Sequence, residues 1–289
     1  MRYRKVKLLI SLFYWNILQI KKLILHCLGK KEPGKCVAVY YHSIHDSQKE
    51  KFAQQMEYLL KITKPLQAGA KLKLDDEKNY VIITFDDGYQ SMFKNALPAI
   101  VRLNIPCAIF FPTNFIGKAP KWEEWNIYLE YNEILMTPEQ IKSLPEELIT
   151  IGSHSHSHPV LSKISPKEAQ EEFYKSRNIL ESILGRKVTL FSFPYGEFNE
   201  KVTKLAFAAG YKRLFTIQPE VNFSKIENDI VGRFNVDPSD SFLEFKLKLL
   251  GAYKWMEIVY PVKQMLRSRF ELFPVKDEIL PEPGNIKNQ

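Results

Sequence analysis

Two short stretches carry residue types that can do chemistry. In Thr84-Phe85-Asp86-Asp87-Gly88, two adjacent carboxylates and a glycine follow the apolar run Tyr80-Val81-Ile82-Ile83, which reads as a buried strand ending in a site. Like charges side by side at a strand end disfavour each other's ionised form unless something such as a cation compensates. Further along, Ile151-Gly152-Ser153-His154-Ser155-His156-Ser157-His158-Pro159 follows a second β-leaning run, Leu148-Ile149-Thr150-Ile151, and places three of the chain's six histidines within five positions. Imidazole is the commonest metal ligand at neutral pH. One carboxylate with two of these imidazoles gives three protein ligands and leaves a position open for water, the arrangement of a catalytic rather than a structural zinc site. Taken singly, Asp-Asp-Gly is more often a solvated turn, and the histidine run could be an exposed loop. Each at the end of a strand-like run, the two together point to a metal.

The elements that must position these groups alternate along the chain. Cys36 to His42 reads as a first strand, helical spacing follows at Phe52, Met56, Leu59, Leu60 and Ile62, and a polar stretch from Gln67 to Lys78 leads to the Asp-Asp strand. Met92 to Leu103 suits a helix and Pro106 to Pro112 a strand. Thr137-Pro138-Glu139-Gln140 and Ser165-Pro166-Lys167-Glu168 read as helix starts; in the second, serine stands at the cap, proline at the first position and glutamate at the third. That helix is predicted to run to Leu184 and stop at Gly185. A strand at Val188 to Phe193, the turn Pro194-Tyr195-Gly196, a helix from Glu200 to Ala209 and a strand at Arg213 to Ile217 follow. Such alternation implies a mostly parallel sheet wrapped by helices, and active groups at strand C-terminal ends point to a barrel.

A length of 289 residues allows one α/β barrel or two small domains, and 45% hydrophobic with 26% charged residues is ordinary for a folded protein. The net charge of +8 is concentrated: eight of the 41 basic residues lie within the first 31 positions, which hold no acid, so the remaining 33 balance the 33 acidic ones. A neutral body argues against a nucleic-acid partner. Three cysteines, Cys27, Cys36 and Cys107, are an odd number with no paired spacing, which argues against a disulfide framework, and the sequence holds neither a CxxC nor a Cys/His zinc module.

At the pair of motifs the chain resembles the polysaccharide deacetylases of the NodB-homology type, carbohydrate esterase family four. The family's Thr-Phe-Asp-Asp-Gly is met at Thr84 to Gly88 and its His-Ser/Thr-x-x-His at His154 to His158, and the resemblance extends from about Cys36 to about Val236. It implies an α/β fold, the family's irregular (β/α)7 barrel, with flanking N- and C-terminal helices. It also implies that Asp87, His154 and His158 hold a divalent metal, with zinc the expected ion, that Asp86 is the general base, and that Tyr195 of Phe193-Pro194-Tyr195-Gly196 offers a backbone N–H to the oxyanion. His156, at a position the family leaves variable, is expected to be a bystander. The chain departs from the pattern twice. Ser192 stands where many members carry an arginine that orients the base, and Arg233 is the candidate replacement. No histidine follows His158, so the usual C-terminal acid is missing; Tyr41-His42 resembles the circularly permuted exopolysaccharide N-deacetylases, whose acid histidine precedes the Asp-Asp motif. The alternative for His42 is a core histidine at a strand end.

The expected organisation is a basic amphipathic N-terminal helix over 1–34, the deacetylase barrel over 35–240, C-terminal helices over 241–275 and a disordered tail over 276–289. The apolar run from Leu8 to Ile20 is broken by Ser11, Asn16 and Gln19 and is short for a spanning segment. Read as a helix, Ile10, Phe13, Ile17, Ile20, Ile24 and Leu28 form one stripe with Arg4, Lys7, Ser11, Gln19 and Lys22 opposite. This predicts a helix in a membrane interface with its basic face among anionic headgroups, against the alternatives of a helix packed on the domain or a signal sequence. The aromatics Trp122, Trp125, Tyr128 and Tyr131 are a candidate sugar-stacking platform or ordinary packing. The expected activity is metal-dependent removal of an N-acetyl group from an amino sugar in a cell-surface polysaccharide or lipid-linked glycan, at a membrane by peripheral contact through residues 1–31. A deformylase or O-deacetylase on a lipid-linked sugar, and a catalytically silent carbohydrate-binding protein, are the alternatives.

Overall fold

Runs of β-branched and aromatic residues separated by capped helices build a closed ring in the computed structural model, which describes residues 2–120, 133–227 and 229–260. In chain order the elements are α1 (Arg2–Cys27), β1 (Lys35–Tyr41), α2 (Lys49–Ile62), β2 (Lys64–Pro65), β3 (Leu72–Lys73), β4 (Asn79–Phe85), α3 (Leu97–Arg102), β5 (Cys107–Phe111), α4 (Pro138–Lys142), β6 (Ile149–Ser153), α5 (Pro166–Leu184), β7 (Leu190–Ser192), α6 (Glu200–Ala208), β8 (Arg213–Thr216), β9 (Val221–Phe223), β10 (Lys225–Ile226), β11 (Ile230–Asn235) and α7 (Phe242–Leu249). Trp122, Trp125, Tyr128 and Tyr131, the tail and the expected C-terminal helices past Tyr260 lie outside the described residues.

The ring runs β1–β4–β5–β6–β7–β8–β11 and closes on β1, every pairing parallel. These seven strands form the (β/α)7 barrel expected. Short additions decorate its N-terminal rim: β9 lies antiparallel to the start of β1, β2 parallel to the start of β4, and β3 pairs with β10. Alternation along each strand sorts side chains between two cores. Cys36, Ala38, Tyr80, Ile82, Ala108, Phe110, Leu190 and Phe215 fill the inside of the barrel, while Val37, Val39, Tyr41, Val81, Ile83, Phe85, Ile109 and Phe191 pack between barrel and helices.

The predicted helix starts at Thr137 and Ser165 both form capping boxes, the serine hydroxyl accepting from Glu168 N–H and the Glu168 carboxylate accepting from Ser165 N–H. Gly185 ends α5 at φ 68°. The strand β11 is not evident in the sequence, because Gly232 and Arg233 interrupt its apolar run. Cys36 and Cys107 are buried and Cys27 is exposed, all three as free thiols.

The N-terminal helix corrects the expected orientation. It spans 26 residues and is long and apolar enough to cross a membrane by length and composition, so the run is not too short. The first half of its polar side faces the domain: Arg4 is ion-paired to Asp240 and Glu244, and buried Ser11 accepts a hydrogen bond from Trp255 Nε1 at 2.9 Å, while Gln19 and Lys22 further along are exposed. Carboxylates on the barrel rim outcompete solvent for the arginine, so Arg4 and Ser11 belong to the contact with the domain.

Gly152 sits on β6 facing the barrel interior, where an added Cβ would lie 2.4 Å from the Phe110 ring and 3.1 Å from the Leu190 carbonyl. Both neighbours are fixed in the core. Gly152→Ala should therefore destabilise the fold by about 1–3 kcal/mol, read as a lowered urea midpoint.

Candidate active site

Parallel strands in a ring deliver their C-terminal ends to one rim. That rim carries His42 just after β1, Asp86 and Asp87 just after β4, His154 to His158 after β6, Pro194-Tyr195-Gly196 after β7, and Arg233 within β11. Register couples the first two, since Asp86 N–H donates to the Tyr41 carbonyl at 2.9 Å.

Arg233 and Asp86 form the centre of the site. The guanidinium, fully buried, donates from Nη1 to Asp86 Oδ1 at 2.8 Å and from Nη2 to Oδ2 at 2.9 Å, the bidentate geometry that only arginine supplies. Its remaining donors reach Thr84 Oγ1 at 2.9 Å, Ser192 Oγ at 2.7 Å and the Thr216 carbonyl at 3.2 Å. The Tyr40 ring lies 4.8 Å from it. The serine at the departed motif position is thus one of the groups that hold the arginine in place. Burial opposes ionisation of Asp86, yet Arg233 holds its carboxyl down to about 2. Asp86 is a carboxylate throughout the neutral range.

Asp87 meets the opposite conditions. Burial, and then the charge on Asp86, push its carboxyl up to about 8. Its Oδ1 is buried with no hydrogen-bond partner among the described residues. The Nε2 atoms of His154 and His158 stand 3.8 and 3.7 Å from that oxygen, and one donor atom from each of the three residues lies within 4.8 Å of the others. His154 Nδ1 donates to the Ser192 carbonyl at 2.7 Å, which fixes the tautomer and turns Nε2 toward Asp87. Burial lowers His154 to about 4 and His158 well below its ordinary value, so both imidazoles are neutral. An orphaned carboxylate oxygen between two neutral imidazoles is a donor set suited to a divalent cation. Sequence-predicted Asp87, His154 and His158 are therefore brought together as a set.

His156 is not in that set; its Nδ1 meets Thr113 Oγ1 at 2.9 Å. The histidine loop is tethered by Glu172 of α5, whose carboxylate accepts from His156 N–H at 2.7 Å, Ser157 N–H at 2.8 Å and Ser157 Oγ at 2.6 Å. Sequence reasoning missed Glu172, which looks like any solvent-facing helical acid. Strain collects at the same rim: Asp87, Ser155, His158 and Tyr195 all have φ between 57° and 66°, a conformation that non-glycine residues keep only where surroundings enforce it. Gly88 shares it at φ 65°, and a Cβ there would lie 2.1 Å from the Phe111 ring. Tyr195 closes one side, its ring centroid 4.7 Å from that of His158. His42 is half-buried beside Tyr40, with ring centroids 5.5 Å apart. Burial lowers its pKa, the Asp86 carboxylate opposes that shift, and Arg233 adds to it. His45 lies apart, 3.0 Å from Glu133, and His26 is on α1.

The family model for polysaccharide deacetylase matches residues 73–214. The chain is 33% identical over 206 residues to a peptidoglycan-N-acetylglucosamine deacetylase of Bacillus cereus, covering 68% of each chain. It is 27% identical over 174 residues to a poly-beta-1,6-N-acetyl-D-glucosamine N-deacetylase of Staphylococcus epidermidis, covering 57% of each. In fold it is similar to IcaB from Ammonifex degensii, with a TM-score of 0.62 at 23% identity, covering 78% of this chain and 98% of that one. The chain belongs to the polysaccharide deacetylase family.

Occupancy by a cation requires Asp87 to lose its proton while the imidazoles are already neutral. Zinc affinity should therefore rise about tenfold per pH unit below about 8 and level off above it. Calorimetry in buffers of differing ionisation enthalpy should show about one proton released per zinc at neutral pH.

Proposed function

We propose that the protein is a metal-dependent hydrolase that removes the N-acetyl group from an amino sugar of a cell-surface polysaccharide or lipid-linked glycan, working as a peripheral membrane protein. The observation that carries this reading is the pairing of opposites at one strand end: Asp86 held ionised by Arg233, beside Asp87 with an unsatisfied buried oxygen. One carboxylate is prepared to take a proton and its neighbour to bind a cation. Membership of the family supports the same chemistry.

Asp87, His154 and His158 would hold the metal, zinc being the natural choice for one carboxylate and two imidazoles. A divalent cation bound there supplies Lewis acidity toward the acyl oxygen and water. Asp86 accepts the proton of the attacking water as its oxygen bonds to the acetyl carbonyl carbon. The backbone N–H of Tyr195, in the turn held against His158, stabilises the oxyanion that results. His42, in its protonated form, then gives a proton to the sugar nitrogen as the C–N bond breaks, releasing acetic acid and a free amine, and return of the Asp86 proton through solvent to His42 restores the starting state. Arg233 does not touch substrate; it orients the base.

Asp86→Asn should retain zinc and lose activity by about a hundred- to ten-thousand-fold on amide and ester alike. His42→Ala should lose a similar factor on N-acetylglucosamine oligomers, whose amine must leave protonated, and much less on an activated aryl acetate, whose leaving group needs no proton. Equal losses on both substrates for His42→Ala would remove it from the acid role, and acetate release undiminished in Asp86→Asn would remove the proposed base.

A further inference from the structure

The face of α1 turned away from the barrel is apolar. Leu9, Phe13, Ile17, Ile20, Ile24 and Leu28 expose from 44% (Ile17) to 69% (Phe13) of their surface, far above what scattered surface residues require. At 3.6 residues per turn these side chains fall on one stripe, with exposed Lys5 along one border and exposed Lys21 along the other. The opposite face is taken: Leu8, Leu12 and Trp15 pack on the core, Arg4 donates to Glu244 at 2.8 Å and to Asp240 at 2.5 Å, and Trp255 donates to Ser11.

Those contacts fix how the helix runs. Asp240 and Glu244 lie just beyond the C-terminal end of β11, at the catalytic rim. At the other end of α1, Lys22 and His26 line a groove with Glu32 and Glu77, which precede β1 and β4 at the opposite rim. The helix, roughly 39 Å long at 1.5 Å per residue, therefore passes down the side of the barrel from one rim to the other. A membrane-crossing orientation would draw Arg4 with Asp240 and Glu244 into hydrocarbon, where such groups are costly.

We propose that α1 lies in the plane of an anionic bilayer surface, laying the barrel on its side so that the catalytic rim opens along the membrane toward an amino-sugar glycan carried on a lipid. The occupant follows from charge: the first 31 residues hold no anion, and although Arg4 is taken up by Asp240 and Glu244, Lys5, Lys21, Lys22, Lys30 and Lys31 remain exposed, which matches acidic headgroups rather than a second, equally basic copy. Lys5 and Lys21 can extend their amines to the headgroups while their stems lie along the apolar stripe. The lipid-carried glycan rests on the deacetylase reading; the docking does not.

The test uses the full chain and the double variant Phe13→Glu/Ile17→Glu, whose positions are exposed and remote from the site, with unchanged melting as the folding control. Sedimentation with vesicles of phosphatidylcholine, with and without phosphatidylglycerol, should show binding about tenfold tighter to the anionic set, weakened by salt, reversed by alkaline carbonate, and reduced at least about tenfold in the double variant. Undiminished binding by the variant, or retention through the carbonate wash, would overturn in-plane docking. So would self-association of the native chain, lost in the variant, without vesicle binding. Acetate release is then compared for an N-acetylglucosaminyl lipid in these vesicles and for a soluble N-acetylglucosamine oligomer. The variant should match the native chain on the oligomer and fall about tenfold on the lipid. Equal rates on the lipid would overturn the substrate assignment, whereas no release from either substrate by the native chain would sink the deacetylase reading and leave the vesicle result standing.

Discussion

Two carboxylates on consecutive residues, both buried, cannot both carry charge without compensation, and the barrel resolves this by treating them differently. Asp86 receives the whole fork of Arg233 and is ionised; Asp87 receives two neutral imidazoles and none of the arginine. Much of the surrounding structure serves that division. Thr84 and Ser192 hold the guanidinium, Tyr40 covers it, and the Ser192 carbonyl orients His154. Ser192 thus supports the Asp86–Arg233 pair through its hydroxyl and His154 through its backbone. A buried ion pair of this kind contributes little to stability compared with apolar packing, and removing one partner is severe because the other charge is stranded. Its place in the fold suits the proposed reaction, in which Asp86 must stay ionised.

The backbone carries a corresponding cost. Four non-glycine residues at the rim, Asp87, Ser155, His158 and Tyr195, adopt left-handed φ values. The surrounding framework enforces them: Ser155 Oγ accepts from His158 N–H at 3.0 Å, Ser153 Oγ accepts from Ser155 N–H at 3.2 Å, and Glu172 gathers the middle of the loop. Strain held by a rigid scaffold keeps the carboxylate and imidazole donor atoms aimed at one another.

The sequence displayed the chemistry more openly than the framework. Asp86-Asp87 and the histidine run stand out because clustered titratable residues after apolar runs are rare, and the capping boxes at Thr137 and Ser165 announce their helices directly. β11 was hidden because its central arginine breaks the apolar pattern; that residue is buried to serve Asp86, a reason that only the closed ring reveals. The stripe on α1 was legible, yet which side meets the protein was not, since a helical pattern cannot say that Asp240 and Glu244 will claim Arg4. Glu172 gave no signal at all, being one of several acids on α5. The family model's match, 73–214, also leaves out both His42, just after the first barrel strand, and Arg233, within the last.

That placement has a consequence for how the molecule comes into being. β1 must pair with β4 on one side and with β11 on the other, so the barrel remains an open sheet until the last strand has been synthesised. The proposed ligand residues Asp87, His154 and His158 all emerge before Arg233. A growing chain therefore gathers its carboxylate and two imidazoles well before Asp86 receives the arginine that orients it, and on the proposed mechanism the base is complete only when the final strand closes the ring.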